Sequence, residues 1–371
     1  MINATENIAH KAFSAETLYA DAVSLLRQLI STESFSKQED KTAQIIEGFL
    51  RERGVETHRK LNNIWANNKY FDPQKPSILL NSHHDTVKPG AGWSLDPFTP
   101  TVIDGKLIGL GSNDAGGCLV SLMSAFMHFY EERDMEYNLV LATTAEEEIS
   151  GKNGLELILP ELGELAFGIV GEPTEMHMAV AEKGLLVLDC YAKGKTGHAA
   201  RNEGENALYK AIEDINWFRT FRFPKVSQYL GDINMNVTVI NAGSQHNVVP
   251  AECHFVADIR VTDAYSHQEL LEIIGQNIKS ETKARSTRLK PSSIPIEHPF
   301  IQAGLEIGRK TFGSATTSDQ ALLDIPSVKM GPGNSSRSHT PDEFIYLSEI
   351  REGINIYISL LQKILQPQQA N

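Results

Sequence analysis

The sequence lacks the features that mark a membrane or secreted protein. Its longest apolar runs fall well short of the roughly 20 residues that a transmembrane helix needs, so we expect no membrane span. Residues 1–20 lack the basic start and the apolar core of a signal peptide. We therefore expect a cytoplasmic protein.

Cysteine and positive charge are both scarce. The three cysteines, Cys118, Cys190 and Cys253, are far apart in the chain. An odd number without ligand-like spacing predicts no disulfide framework and suits a reducing compartment. The formal net charge is −13. Because binding to a phosphate backbone depends on clustered Lys and Arg, we expect no nucleic-acid partner.

Two common site motifs are also missing. The chain contains no Gly-x-Ser-x-Gly pentapeptide, which excludes the usual nucleophile turn of a serine hydrolase. Gly109-Leu-Gly111 follows a strand-like segment, as in a dinucleotide-binding turn. Asp114, however, stands where that fingerprint requires its third glycine, so we expect no dinucleotide site.

The order of apolar patterns predicts two domains in this chain of 371 residues. Strand-like and helix-like segments alternate up to residue 178, which favours an α/β layer with a mostly parallel sheet. Residues 179–291 follow the order β-α-β-β-α-β, which indicates a ferredoxin-like α+β domain. The α/β pattern resumes after Pro291. We predict a discontinuous α/β domain, residues 1–178 and 292–371, with a smaller domain inserted at 179–291.

Several segment boundaries can be predicted from periodicity. Buried strands are expected at 77–82, 139–142, 167–170 and 328–330, and a packed helix at 115–131. Within the insert, the pattern predicts a helix at 205–221, strands at 234–241 and 253–261, and a basic strand-like stretch at 283–290. After the insert, helices are expected at 299–311 and 347–365.

Acidic residues and histidines follow the predicted strands repeatedly. The residues concerned are His83, His84 and Asp85, then Glu146, Glu147 and Glu148, then Glu172, and finally His339, with Asp114 before a predicted helix. The carboxyl ends of parallel strands line one crevice, so these groups are expected to converge. Such a cluster needs a cation to offset repulsion, and two divalent metals sharing a carboxylate are a common solution. Spacing alone leaves a second interpretation open. In it the histidines and Glu172 are hydrogen-bonded loop residues, and Glu146 to Glu148 form the solvated start of a helix.

Five segments together resemble a known family. "HHDTV", "GLGSNDAGG", "TTAEEEISGKNG", "VGEPTE" and "GPGNSSRSHTPDEF" are similar, in order, to the motifs of the di-zinc amidohydrolases. That family includes acetylornithine deacetylase, succinyl-diaminopimelate desuccinylase, aminoacylase and carboxypeptidase G. The motifs span residues 83–343, and the overall likeness is greatest to the acetylornithine deacetylase branch. The resemblance implies a catalytic α/β domain and an inserted dimerisation domain.

The resemblance also implies a role for each matching residue. Asp85 would orient a metal ligand from behind, and Glu147 would be the general base. Asp114 would bridge the metals, and a cis peptide would join it to Ala115. Two divalent metal ions would be bound, with Zn²⁺ expected and Co²⁺ able to substitute. Their ligands would be His83, Asp114, Glu148, Glu172 and His339. His84 occupies the variable middle position of its motif, and Glu146 stands where the family usually has aspartate.

The inserted segment resembles the family's dimerisation domain in two places. "GKTGHAARNEGENAL" matches the motif whose histidine, His198 here, would complete the active site of a partner subunit in a homodimer. "QHNVVPAECHFVADIR" matches the segment that would supply Asn247 and Arg260 to the substrate. Without the resemblance, these residues would be a loop histidine, a turn asparagine and a strand-end arginine in a salt bridge.

The activity implied is metal-assisted amide hydrolysis of an N-acyl amino acid. The expected substrate is N-acetylornithine or a close relative, which would place the chain in arginine biosynthesis. Desuccinylation, deacylation of an N-acylcitrulline, and dipeptidase or carboxypeptidase cleavage use the same machinery and remain alternatives. A catalytically silent metal- or peptide-binding homologue is the alternative from another class.

Arg337 is a further candidate for substrate binding. It precedes His339 by two residues, so its guanidinium is placed to reach an acyl tail beside the metals. A succinyl carboxylate would then gain a charge-assisted hydrogen bond worth about 1.5–3 kcal/mol that acetyl cannot make. The competing interpretation is a surface arginine on a loop.

Overall fold

The computed structural model describes residues 14–201 and 203–366, so most of the segment 1–20 that was searched for a signal peptide lies outside the described residues. Within these ranges the chain forms two compact units. The larger unit extends to Ala179 and includes Ile294–Thr311 and the chain from Ile325 onward. The smaller unit is Val180–Ser293 with Phe312–Asp324. None of the helices in the described ranges is both long and apolar enough to cross a membrane.

The secondary structure is numbered along the chain. The helices are α1 (Ala15–Ile30), α2 (Asp40–Glu52), α3 (Gly117–Phe129), α4 (Leu155–Ile158), α5 (Ala207–Thr220), α6 (His267–Asn277), α7 (Pro299–Glu306) and α8 (Leu347–Leu365). The strands are β1 (His58–Lys60), β2 (Asn63–Asn67), β3 (Ser77–His83), β4 (Thr101–Ile103), β5 (Lys106–Ile108), β6 (Asn138–Thr144), β7 (Leu165–Val170), β8 (Met178–Glu182), β9 (Gly184–Lys193), β10 (Gly197–His198), β11 (Asn234–Ala242), β12 (Val248–Val249), β13 (Glu252–Val261), β14 (Glu281–Ala284), β15 (Ser292–Ser293), β16 (Thr311–Ser314), β17 (Ser327–Lys329) and β18 (Phe344–Tyr346).

The larger unit is built on a mixed sheet, as the α/β prediction requires. Its strands lie in the order β1-β2-β6-β3-β7-β17. The four strands from β6 to β17 run parallel, whereas β1 and β2 join antiparallel at one side. Every residue of β3 and β6 is buried. A strand that is buried on both faces appears in the sequence as a continuous apolar run, which is why these strands could be predicted. The mixed α/β fold class is confirmed.

Capping residues as well as packing stabilise the helices of the larger unit. Ser14 caps α1, because its hydroxyl accepts a hydrogen bond from the backbone N–H of Thr17. Leu18, Leu25 and Leu26 then share its buried face. Helix α3, which was predicted from the helical spacing of its apolar residues, is buried on almost every side and not only along that stripe.

The smaller unit has the predicted order β-α-β-β-α-β. Its sheet, β11-β13-β9-β14, is antiparallel and places the first and third of the four main strands at the centre, as in a ferredoxin-like fold. Strand β9 alternates buried and partly exposed residues along its length. Its inner side chains join α5 and α6 in one apolar core. The other face of the sheet carries polar side chains such as Asp189 and Asp258.

Three predicted boundaries differ from the structure. Helix α7 ends at Glu306 rather than near 311, because Gly308 adopts a left-handed conformation (φ 79°) that stops the helix. The basic stretch 283–290 is a strand only to Ala284, and a turn follows in which the N–H of Lys290 bonds the carbonyl of Arg288. Residues 312–324, predicted to lie in the α/β domain, belong to the smaller unit.

Candidate functional site

The parallel strands end at one edge of the sheet, and this alignment brings the predicted residues together. His83, the last residue of β3, lies opposite Thr144, the last residue of β6. Val170 at the end of β7 is paired with Asn81 and Lys329 on its two sides. The polar residues that follow each strand therefore lie at the same carboxyl edge.

The five predicted ligands form two overlapping groups at this edge. One group is His83, Asp114 and Glu172, and the other is Asp114, Glu148 and His339. Within each group the candidate ligand atoms all lie within 4.8 Å of one another. The imidazole Nε2 of His83 is 3.6 Å from Glu172 Oε1, and Nε2 of His339 is 3.0 Å from Glu148 Oε2.

Asp114 belongs to both groups and faces each with a different oxygen. Its Oδ1 is 3.4 Å from Nε2 of His83, and its Oδ2 is 3.6 Å from Nε2 of His339. This is the arrangement that a bridging carboxylate requires. The peptide bond between Asp114 and Ala115 is cis, as the family resemblance predicts.

Asp85 is buried behind His83 and contacts several residues of the site. Nδ1 of His83 is 3.0 Å from the backbone carbonyl of Asp85 and 3.4 Å from its carboxylate. The carboxylate oxygens instead accept the backbone N–H groups of Glu147 (3.1 Å) and Glu148 (3.2 Å), and the hydroxyl of Ser36 (2.7 Å). Asp85 thus holds the turn of the predicted base as well as the imidazole, which spacing could not indicate.

The surrounding carboxylates make both predicted histidine ligands strongly basic. Burial by itself would lower the pKa of His83, but the negative charges of Glu147 and Asp114 outweigh it and raise the pKa well above its usual value. The hydrogen bond to Glu148 raises the pKa of His339 to about 9. Each shift reports an excess of negative charge, which a bound cation would neutralise.

The donor set fits two divalent metal ions. Nε2 of His83 is buried and makes no hydrogen bond with the described residues, although a buried nitrogen rarely lacks a partner. Nδ1 donates to a carbonyl, which leaves Nε2 as the lone-pair nitrogen that a metal uses. Imidazole nitrogen and carboxylate oxygen together suit Zn²⁺ and its neighbours. The ligand assignments stay predictions.

His84 points away from this group, in agreement with its omission from the ligand set. Its Nδ1 is 2.9 Å from Thr42 Oγ1, and its Nε2 is 2.8 Å from the carbonyl oxygen of Asn62. Burial lowers its pKa to about 4. Successive side chains of an extended segment point to opposite sides, so His83 and His84 have different surroundings.

Two residues of the site were not identified from the sequence. Glu343 is 2% exposed, and its carboxylate accepts three backbone N–H groups of the turn that ends at Asp114. Asn113 is fully buried and bonds the segment that leads to His339. Both lie within quoted motifs, but no spacing or composition signal distinguishes them from their neighbours.

Comparison of the chain with known protein families agrees with the geometry of the site. The family described as Peptidase family M20/M25/M40 matches residues 79–363, which is most of the chain. The chain belongs to this family. The resemblance stated from five motifs is therefore confirmed, and the protein is an M20-family hydrolase of the metallopeptidase type.

M20 relatives and solved structures match over nearly the full length. The acetylornithine deacetylase of Proteus mirabilis is 28% identical over 88% of this chain and 92% of its own. A succinyl-diaminopimelate desuccinylase of Wolbachia pipientis is 25% identical over 94% of both. The M20 metallo-carboxypeptidase Sso-CP2 of Sulfolobus solfataricus aligns with a TM-score of 0.74 at 18% identity, covering 92% of this chain and 99% of its own. The Bacillus subtilis YXEP protein, described as a dinuclear metal binding peptidase, gives 0.71 at 16%, with 94% and 98% covered.

In this M20 chain, His198 and Asn247 are neighbours in the smaller unit. Strand β10 pairs with β12 so that His198 lies opposite Val248. The N–H of Ala199 donates to the carbonyl of Asn247 at 3.1 Å. Both predicted residues are exposed, and they share one small ribbon. Their substrate roles stay predictions.

Arg260 also lies in the smaller unit, on β13. Its Nε and Nη2 donate to the two carboxylate oxygens of Asp258, at 2.9 and 3.2 Å, and Nη1 is 3.3 Å from the hydroxyl oxygen of Thr317. Asp258 lies on the same face of β13, two residues earlier. A substrate carboxylate held by Arg260 would therefore share or displace this pairing.

The side chain of Arg337 is bound by other residues of the larger unit. Its two terminal nitrogens donate to the two carboxylate oxygens of Glu349, at 2.7 and 3.0 Å. The guanidinium also lies 4.6 Å from the ring centre of Phe344 and 5.2 Å from that of Tyr346. These contacts favour a structural role over selection of the acyl group.

We expect Arg337→Ala to lower the melting temperature and leave substrate choice unchanged. Loss of the two charge-assisted bonds to Glu349 should cost roughly 1.5–3 kcal/mol of unfolding free energy. The measurement pairs thermal unfolding with the succinyl-to-acetyl ratio of kcat/KM. Arg351→Ala is the matched control, because its pair with Glu16 is solvent-exposed and should contribute little. A fall in the ratio would assign Arg337 to the acyl group instead.

Proposed function

We propose that this M20 hydrolase is a di-zinc deacylase that removes the acyl group from an N-acyl amino acid, with N-acetylornithine or a close relative as substrate. It would then act in arginine biosynthesis. The observation that carries the proposal is Asp114, whose two oxygens face two separate groups of histidine and carboxylate. A catalytically silent metal-binding homologue would need the ligand groups but not a carboxylate such as Glu147 beside them.

The metal ions would be held by two groups that share one residue. His83 and Glu172 would hold one ion, Glu148 and His339 the other, and Asp114 both. When bound, the ions supply Lewis acidity to the acyl carbonyl and increase the acidity of water. Co²⁺ is expected to replace Zn²⁺, because its ligand preferences are similar.

Glu147 is placed to move the proton. Its Oε2 lies 3.8 Å from Nε2 of His83, beside the first ligand group. Asp85 accepts the N–H of Glu147 and so holds its backbone. The carboxylate would take a proton from the attacking water and give it to the nitrogen of the leaving amine. One residue would thus act first as base and then as acid.

The position of Arg337 supports acetyl over succinyl as the acyl group. A succinyl tail carries a carboxylate that needs a positively charged partner, and the guanidinium of Arg337 is already paired with Glu349. The net charge of −13 also favours a substrate with a cationic side chain over a dianion. A relative that is 28% identical bears the name acetylornithine deacetylase.

We propose further that the chain forms a homodimer in which His198 completes the active site of the partner. Strand β11 supports this, because it is the edge of its sheet and exposes Val239 and Ile240. Helix α5 exposes Tyr209 and Ile212. Long edge strands with apolar side chains are normally covered, and a second copy of the chain would cover this one.

A substrate panel tests the proposed activity. The purified chain, loaded with Zn²⁺ or Co²⁺, is given N-acetylornithine, N-acetylcitrulline, N-succinyl amino acids and dipeptides, and amine release is measured. We expect N-acetylornithine to give the highest kcat/KM. A dipeptide or a succinylated substrate in first place would reassign the substrate, and release from none of them would favour the silent homologue. Free ornithine added to the assay is the control for product inhibition.

A further inference from the structure

The side chain of Glu343 binds the turn that carries the shared carboxylate. It is 2% exposed, and it is not among the predicted ligands. Its Oε1 accepts the backbone N–H groups of Asn113 (2.8 Å) and Asp114 (2.9 Å), and its Oε2 accepts that of Gly111 (3.2 Å). Three backbone donors of one turn therefore converge on a single carboxylate.

The main chain of Glu343 binds the same turn. Its carbonyl oxygen accepts the N–H of Gly109 at 2.9 Å and the hydroxyl of Ser112 at 3.3 Å. One residue thus receives five hydrogen bonds from the turn 109–114. A segment held in this way has little freedom to shift relative to the residue that holds it.

Asn113 makes a second connection in the opposite direction. Its Oδ1 accepts the N–H of Asn334 at 3.0 Å, and its Nδ2 donates to the carbonyl of Asn334 at 3.1 Å. The same Nδ2 is 3.3 Å from the hydroxyl oxygen of Ser338. The turn is thereby bonded to both ends of the segment 334–343.

The hydrogen bonds between the turn 109–114 and the segment 334–343 involve one candidate ligand group more than the other. The segment 334–343 contains His339, and the turn 109–114 contains Asp114, so two of three residues in the group Asp114–Glu148–His339 lie on the connected segments. In the other group only Asp114 does, because His83 ends β3 and Glu172 follows β7.

We propose that Glu343 and Asn113 form a clamp that positions Asp114 and His339 and so sets the metal affinity of the group Asp114–Glu148–His339. The inference rests on the proposed two-metal function. Glu343 is a positioning residue, since it bonds the backbone of the turn and not a ligand atom. In Glu343→Gln, the amide NH₂ cannot accept a backbone N–H, so one side of the clamp opens.

The test is a Co²⁺ titration of metal-free full-length protein, followed by calorimetry. We expect wild type to bind two ions per chain, and Glu343→Gln to bind one of them about 10–100-fold more weakly, the usual effect of losing a residue behind a ligand. Affinity for the other ion should change little. Repeating the titration in a Glu172→Ala background, which removes a ligand of the other group, assigns the weakened ion.

Asp214→Asn is the matched control. Asp214 lies in the smaller unit, is 3% exposed, and accepts the N–H groups of Lys279 (3.1 Å) and Ser280 (2.8 Å). It is therefore another buried carboxylate on backbone donors, but it is not part of either ligand group. Asp214→Asn should reduce thermal stability and leave both Co²⁺ affinities unchanged.

Each outcome separates the clamp from the function on which it rests. If wild type binds fewer than two ions, the two-metal function is refuted. If wild type binds two and Glu343→Gln binds both as tightly, the clamp is refuted, as it is if both ions weaken equally. Should Glu343→Gln not fold, Asn113→Ala decides, because it removes the bonds to Asn334 and Ser338 and must weaken the same ion.

Discussion

Glu147→Gln should abolish nearly all turnover while the protein keeps its metal ions. The amide has the same shape as the carboxylate but cannot take a proton, and positioned general-base catalysis contributes about 10²–10⁴-fold to rate. Glu147 lies beside His83 without belonging to either ligand group, so metal content should not change. The measurements are kcat on the best substrate of the panel and metal content by mass spectrometry.

Glu146→Gln is the matched control for this experiment. Glu146 is the neighbouring acid, but its carboxylate accepts hydrogen bonds from Asn153, at 2.9 Å to the side-chain nitrogen. Its replacement should therefore leave kcat nearly unchanged. Chelation of wild type should remove activity, and Zn²⁺ or Co²⁺ should restore it. Turnover near the wild-type rate in metal-loaded Glu147→Gln would disprove the assignment of the base.

Mixing two inactive variants should restore activity if His198 acts in the partner subunit. Homodimers of Glu147→Ala and of His198→Ala should each be nearly inactive. In a mixed dimer, one site then carries both substitutions and the other carries neither. With random pairing, half of the dimers are mixed and half of their sites are intact, so activity should recover to roughly a quarter of wild type.

Subunit exchange has to be demonstrated first, with differently tagged chains recovered in one complex. If exchange occurs and activity does not recover, His198 acts within its own subunit, because every site would then keep one substitution. A monomer in solution would remove the shared site altogether. The exposed position of His198 on a two-residue strand is compatible with contact across an interface.

The convergence of the candidate ligand residues could be predicted because strand ends are visible in the sequence. His83 and Glu172 each follow a short apolar run that becomes a buried parallel strand, and parallel strands end together. Asp114 does not end a core strand. Its position before a predicted helix placed it among the candidates, but its bridging role was predicted by family resemblance alone.

Arg337 shows where proximity along the chain misleads. It precedes His339 by only two positions, yet its guanidinium is bonded to Glu349, twelve residues further along the chain, and lies next to the rings of Phe344 and Tyr346. A long side chain takes the partner that tertiary packing offers, and that partner cannot be derived from the distance to a neighbouring motif.

The sequence by itself determined the mixed α/β class, the ferredoxin-like order of the smaller unit and the identity of the family, because these depend on the periodicity of apolar residues and on motifs in a given order. Only the tertiary structure decided that Asp85 holds the turn of Glu147, that Glu343 receives the turn of Asp114, and that 312–324 joins the smaller unit. The physical reason is the same for the two carboxylates. A backbone N–H can bond any acceptor that folding brings near, so these contacts leave no pattern in the order of the residues.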